Sequence, residues 1–167
     1  MTRMLNVRFA REKVKDLVEG TEFLALLVAH KREVGHFQDI ELAPNWDAYF
    51  QSDDVGCLRV YTVRGECVDP DYQCSLKHLM GYCIFFTHQD MHSRESFQAV
   101  QDSLFLAKEH RGARHGYNLI KWCDEQLRAD GVQVVYHSTP AADSFGSMLR
   151  HLGYEPVEHV WARRLDK

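Results

Sequence analysis

Long apolar runs are missing from this chain: none approaches the roughly 20 residues that a bilayer-spanning helix needs. The N-terminal stretch MTRMLNVRFAREK lacks a signal-peptide core. Both absences lead to the expectation of a cytoplasmic protein with no membrane partner. Paired cysteine motifs are missing too. Cys57, Cys67, Cys74, Cys83 and Cys123 make an odd set with no C-x-x-C spacing, which suits neither a disulfide framework nor a zinc site. A basic excess is also absent. Against 24 acidic residues stand 20 lysines and arginines, a formal net charge of −4. Without surplus positive charge there is little counterion release to drive general nucleic-acid binding, so no nucleic-acid partner is expected. No internal repeat and no low-complexity linker occurs, so one domain spanning 1–167 is expected.

The apolar pattern supplies the order of elements. Residues 4–9 alternate Leu5, Val7 and Phe9 as a short strand, and residues 11–19 set Val14, Leu17 and Val18 at helical spacing. Thr21 is placed to cap a second helix, 22–34, ending at Gly35. Residues 36–54 have no clean period and are long for a connection, so they are functional or hold some helix of their own. A strand over 57–63 is followed by an expanded hairpin turn over 65–77. Residues 79–88 are almost wholly apolar, as in a central strand covered on both faces. A fourth strand spans 96–106. The helix from Arg114 to Gly131 buries Leu119, Ile120, Cys123 and Leu127 and turns Lys121, Asp124, Glu125 and Arg128 to water. A strand at 132–137, a short helix at 143–151 and one or two closing strands over 154–164 complete a mixed α/β (α+β) chain. His88 and His92 are four apart, but their surroundings read as a loop, and no metal is expected there.

The stretch Leu104–Tyr117 carries most of the chemistry. Leu104, Phe105 and Leu106 end a strand; a polar turn then leads into Arg111, Gly112, Ala113, Arg114, His115 and Gly116, where a helix begins. The first amides of a helix have no internal partner and lie at the positive end of its dipole. Such a turn suits a phosphate-bearing ligand. Gly112 and Gly116 allow close backbone approach, while Arg111 and Arg114 add charge that pairs with phosphate oxygens. By itself the turn reads equally as an ordinary surface bend.

Turn and element order together resemble the GCN5-related N-acetyltransferase family over essentially the whole chain. In that family a (Gln/Arg)-x-x-Gly-x-(Gly/Ala) turn after the fourth strand cradles acetyl-coenzyme A. Residues Arg111–Gly116 occupy it here, with Arg114 where the family usually has glycine. Within the family the chain is most similar to enzymes of tailed bacteriophages, which would place it in a host cytoplasm. The resemblance implies a mixed, mostly antiparallel sheet, helices on both faces, and fourth and fifth strands that splay apart. It also implies acetyl-CoA as cosubstrate, bound by Leu104, Phe105, Leu106, Lys108 and the turn through Tyr117, with no metal. The backbones of Leu106 and Lys108 fall where the family positions the acetyl carbonyl.

An amine acceptor must lose a proton before it attacks, because a primary amine with a pKa of about 10 is charged at neutral pH. Asp102 stands where many family members carry a catalytic glutamate, and His88 and His92 are the next candidates. The tyrosine that often serves the family as general acid corresponds to Leu149, which leaves Ser147, Ser144, Tyr154 or unassisted departure of the thiolate. Glu33, Glu41, Trp46, Tyr49, Ser138 and Thr139 are the candidate acceptor residues, since acids among aromatics suit a cationic amine. The expected activity is direct acetyl transfer in a ternary complex of a monomer or homodimer. The alternative is a catalytically degenerate module that binds coenzyme or a host protein.

Overall fold

Alternation of β-branched and aromatic residues builds five strands that lie in sequence order in one sheet. The computed structural model describes residues 5–67, 77–140 and 145–166. Strand β1 (Leu5–Arg11) pairs with β2 (Leu58–Cys67), β2 with β3 (Lys77–Gln89) and β3 with β4 (Phe97–Leu106), all antiparallel. Strand β5 (Val134–Tyr136) runs parallel to β4. The sheet is therefore mixed and mostly antiparallel, as expected.

Helices cover both faces. On one side α1 (Val14–Glu19), α2 (Thr21–Val34) and α3 (Trp46–Asp54) bring Val14, Leu17 and Phe23 onto Leu58, Val60, Leu79, Tyr82, Ile84 and Phe105. On the other, α4 (His115–Ala129) sets Leu119, Cys123 and Leu127 on Tyr61, Val63, Met80, Cys83, Phe85 and Ala99. The apolar run of β3 is thus buried on both faces. Trp122 of α4 joins this second core, stacked on Phe9 with centroids 6.0 Å apart and edge-on to Tyr61 at 5.5 Å.

Several boundaries depart from the pattern reading. The helix expected over 11–19 starts only at Val14, because Arg11 still pairs with Tyr61 and the Glu12 amide donates to the Val60 carbonyl at 3.0 Å. The Glu12 carboxylate accepts from Arg64 Nε at 2.8 Å and from the Thr62 hydroxyl. Thr21 is not the cap of α2 but its first residue; Gly20 takes the cap position with no side chain to offer. Gly65, expected in a turn, belongs to β2 and pairs with both Val7 and His78; residues 68–76 of the expected turn lie outside the described residues. Residues 36–54 do contain a helix, α3, whose cap Asn45 accepts from the Ala48 amide at 3.2 Å. Asp53 fastens that helix to α1 by accepting from Lys13 Nζ at 2.7 Å and the Val14 amide at 3.0 Å.

The closing strands expected over 154–164 are absent: these residues are irregular, and Val157, Val160 and Trp161 are exposed. A three-residue β5 offers a short edge to pair with, and Pro156 has no amide to contribute. The segment is tethered by Arg164, which donates to Asp39 at 3.1 and 3.2 Å and lies over the Phe37 ring. Short helix α5 (Phe145–His151) buries Leu149. Its expected start, 143–144 with Ser144, lies outside the described residues.

Candidate active site

The site begins with a break in strand regularity. Ser103 pairs with Ile84 and Gln101 with Phe85, so Asp102 is the extra residue of a β-bulge in β4. Residues of like parity therefore change face across it: Ala99 packs on the α4 side, Phe105 on the α2 side. The bulge turns Asp102 and Ser103 into a cleft of about 430 Å³ between β4, α2, α3 and residues 41–45. There Asp102 Oδ2 accepts from the Tyr49 hydroxyl at 2.7 Å and from Ser103 Oγ at 3.2 Å. Desolvation, and then the neighbouring carboxylate, push the Tyr49 hydroxyl far above its ordinary pKa, so it stays a donor and leaves Asp102 the proton acceptor.

Directly before the bulge the sheet opens. Strands β4 and β5 pair only at Gln98–Val134, Ala99–Val135 and Val100–Tyr136. At the fork Gln101 Nε2 donates to the Ser138 carbonyl at 3.3 Å, while its Oε1 accepts from His137 Nδ1 at 2.6 Å. With the proton on Nδ1, His137 Nε2 is a buried acceptor with no partner. Burial lowers the His137 pKa to about 4. Beyond the fork, strand alternation sets which backbone groups lie open. The Ala107 amide donates to the Met80 carbonyl, toward β3, so the N–H and C=O of Leu104 and Leu106 point the other way, where β5 has left. The Leu106 carbonyl is already met by Arg111 Nε at 2.8 Å. Lys108, expected to share this role, begins a 3₁₀ turn instead, and its carbonyl accepts from the Arg111 amide.

The open edge leads to the turn. Gly112 has φ +91° and Arg114 φ +62°, a left-handed conformation that favours glycine at both positions. The first amide of this stretch to find a backbone partner is that of Asn118, bonded to the Arg114 carbonyl, so the amides from Gly112 to Tyr117 are without backbone acceptors. Ala113 and His115 belong to this row. Gly116 lies beneath Leu106 and Met148, where a Cβ would sit 3.7 Å from the nearest atom, so the protein alone leaves room there. Arg114 folds over Tyr117, 5.0 Å from its centroid. Arg111 turns away from the amides: it forms a bidentate pair with Glu33 of α2 at 2.6 and 3.0 Å and covers the Phe105 ring. The guanidinium holds the Glu33 carboxyl below its usual range. The residues of the turn fit a pyrophosphate through amides and the Arg114 charge, with Arg111 buttressing the turn.

Of the expected acceptor residues, Glu41, Trp46 and Tyr49 meet Asp102 in the cleft. Glu33 is committed to Arg111, and Ser138 and Thr139 are exposed just past the fork. His88 pairs with Gln98 near the start of β4 and His92 follows β3; both are exposed and neither lines the cleft. Ser147 is exposed on α5, its carbonyl accepting from His151. The Tyr154 hydroxyl donates to Asp124 at 2.5 Å, which also corrects the expectation that Asp124 faces water. Burial raises the pKa of Asp124 and of the Cys83 thiol, so Cys83 is poorly suited to be a nucleophile. Pattern reading missed Gln101, His137 and His30. His30 lies seven residues after Phe23 on the apolar face of α2, stacks on Phe105 at 4.9 Å and sits 2.8 Å from the Tyr82 hydroxyl; burial lowers its pKa.

No family model matches the chain, and no curated protein sequence matches it. Solved structures do. An aminoglycoside acetyltransferase from an uncultured soil metagenomic sample superposes with a TM-score of 0.66 at 12% identity, covering 95% of this chain and 96% of that one. The chain has an acetyltransferase fold. A ribosomal-protein-alanine N-acetyltransferase from Brucella melitensis biovar Abortus 2308 gives 0.65 at 16% identity, with 96% and 99% covered. A glucosamine-6-phosphate N-acetyltransferase from Arabidopsis thaliana gives 0.66 at 10%, again with 96% and 99% covered. Proteins of this fold thus act on unlike amines, and the fold by itself names no acceptor. None of the three is described as phage-encoded, so the phage resemblance rests on sequence alone.

Proposed function

We propose that this protein transfers an acetyl group from acetyl-coenzyme A to an amine by direct attack within a ternary complex. The observation that carries this reading is the open edge of β4 past Val100, continuous with unpaired amides at the start of α4. Leu104 presents its N–H and C=O, and Leu106 its N–H, to a peptide-like pantetheine arm that takes them as an added strand. Amides 112–117 receive the pyrophosphate. Bound there, the coenzyme supplies the activated acyl thioester.

The remaining chemistry falls to residues of the cleft. Asp102 lies beside the open edge with Oδ2 held by Tyr49 and Ser103, which leaves Oδ1 for the incoming ammonium. Asp102 takes the proton, directly or through one water, and the neutral nitrogen attacks the acetyl carbon. The Leu104 N–H is the open-edge donor closest to the bulge and offers a hydrogen bond to the carbonyl oxygen as charge builds there. The carbon–sulfur bond then breaks. A coenzyme thiol, cysteine-like with a pKa of about 8.5, departs without a tyrosine acid. This accords with an apolar, buried Leu149 at the family's acid position.

Isothermal titration with acetyl-CoA, followed by mass spectrometry of amine products, tests the reading. Binding and acetylation are expected, and Asp102→Asn is expected to bind coenzyme but lose about 100-fold in kcat. Coenzyme binding with no transfer to any amine would point to the degenerate module instead.

A further inference from the structure

The cleft beside Asp102 is walled by apolar side chains. Phe23 and Leu27 of α2, Trp46 and Tyr49 of α3, Leu42 and Ile84 enclose about 430 Å³, toward the small end of ligand cavities (about 300–1,000 Å³). Its polar groups are mostly committed within the protein. Asn45 caps α3, and the hydroxyls of Tyr49 and Ser103 both donate to Asp102 Oδ2. Among the side chains, that leaves Asp102 Oδ1, the exposed Glu41 and the Asn45 Nδ2 amide to meet a ligand. Glu33, on α2, is neutralised by a bidentate pair with Arg111. The aromatic wall is preformed: Trp46 packs against Phe23 and Phe50, and Asp53 ties α3 to α1.

We infer that the acceptor is a compact primary monoamine on an apolar, ring-sized body, with its ammonium on Asp102 and its body against Trp46 and Tyr49; this rests on the acetyl-transfer reading. An ammonium beside a carboxylate and aromatic faces gains both ion pairing and cation–π contact. A polyhydroxylated polycation would set most of its hydroxyls and further ammonium groups against the apolar side chains of Phe23, Leu27, Leu42 and Trp46, with Glu41 and the Asn45 amide as the few side-chain partners left. The same cleft therefore selects against many polar groups.

The test uses the full chain at saturating acetyl-CoA, with 2-phenylethylamine, the aminoglycoside kanamycin and a lysine-containing peptide as acceptors. Calorimetry of each amine on the protein with coenzyme A gives binding without turnover. Expected are a kcat/KM for phenylethylamine at least about tenfold above the others and tighter binding in the same order. Trp46→Ala is expected to raise its KM about tenfold with a smaller change in kcat. A better result with kanamycin or the peptide, or bound coenzyme with no phenylethylamine binding, overturns this inference and leaves acetyl transfer standing. Failure to bind acetyl-CoA overturns both.

Discussion

His137 shows how a single residue ties the fork to pH. Its ring donates to Gln101, its other nitrogen is buried without a partner, and its pKa falls to about 4 against 6.5 for the ordinary side chain. The unfolded chain therefore binds the proton more readily, and stability present above pH 6.5 is lost as pH falls through the window to about 4. By pH 5 this residue alone removes about 2 kcal/mol relative to pH 7. The lowered His30 acts in the same direction, while Glu12 and Glu33, held below the usual range, keep their charge at pH 5. Urea denaturation at pH 7 and pH 5 should show that loss in the natural protein and a smaller one in His137→Gln, whose amide still serves Gln101 but cannot titrate. Equal losses in both would contradict the assignment. The family resemblance singled out Asp102, four residues before Leu106, but not its bulge. Alternation along β4 reads unbroken, and only the register with β3 shows the flip.

At the scale of elements, the start of α4 carries the coenzyme argument. Arg114 occupies a left-handed position that costs an L residue about 1 kcal/mol, a conformation that glycine adopts without that strain. Its guanidinium is drawn back over Tyr117, so it adds charge beside the amides without covering them. Arg114→Gly should leave stability unchanged or raise it by less than about 1 kcal/mol, the relief being offset by glycine's chain entropy. It should also weaken acetyl-CoA binding about threefold or more, an effect that shrinks as salt is raised. Tighter binding in the variant would show that the arginine crowds the pyrophosphate. The elements legible in sequence were those with long apolar periods: α2, β3, β4 and α4. Those misjudged were settled by contacts far along the chain. Arg64 and Thr62 hold Glu12 extended and delay α1, and a β5 of three residues offers too little edge for residues 154–164 to close the sheet.

For the whole molecule, the proposed function depends on a sheet left incomplete past Val100. Two cores, one beneath α1, α2 and α3 and one beneath α4, fix β3 and β4, while β5 joins for only three pairs. The Gln101 side chain pins that junction. The order of elements was readable and pointed to this arrangement through the family resemblance; the residues at the fork were not, because a glutamine and a histidine 36 positions apart leave no local pattern. Backbone amide exchange with and without acetyl-CoA addresses the open edge most directly. The expected result is coenzyme-dependent protection at Leu104, Leu106 and residues 112–117, with little change in β1 and β2. Unchanged exchange along β4 and the turn, or protection confined to another surface, would contradict the account.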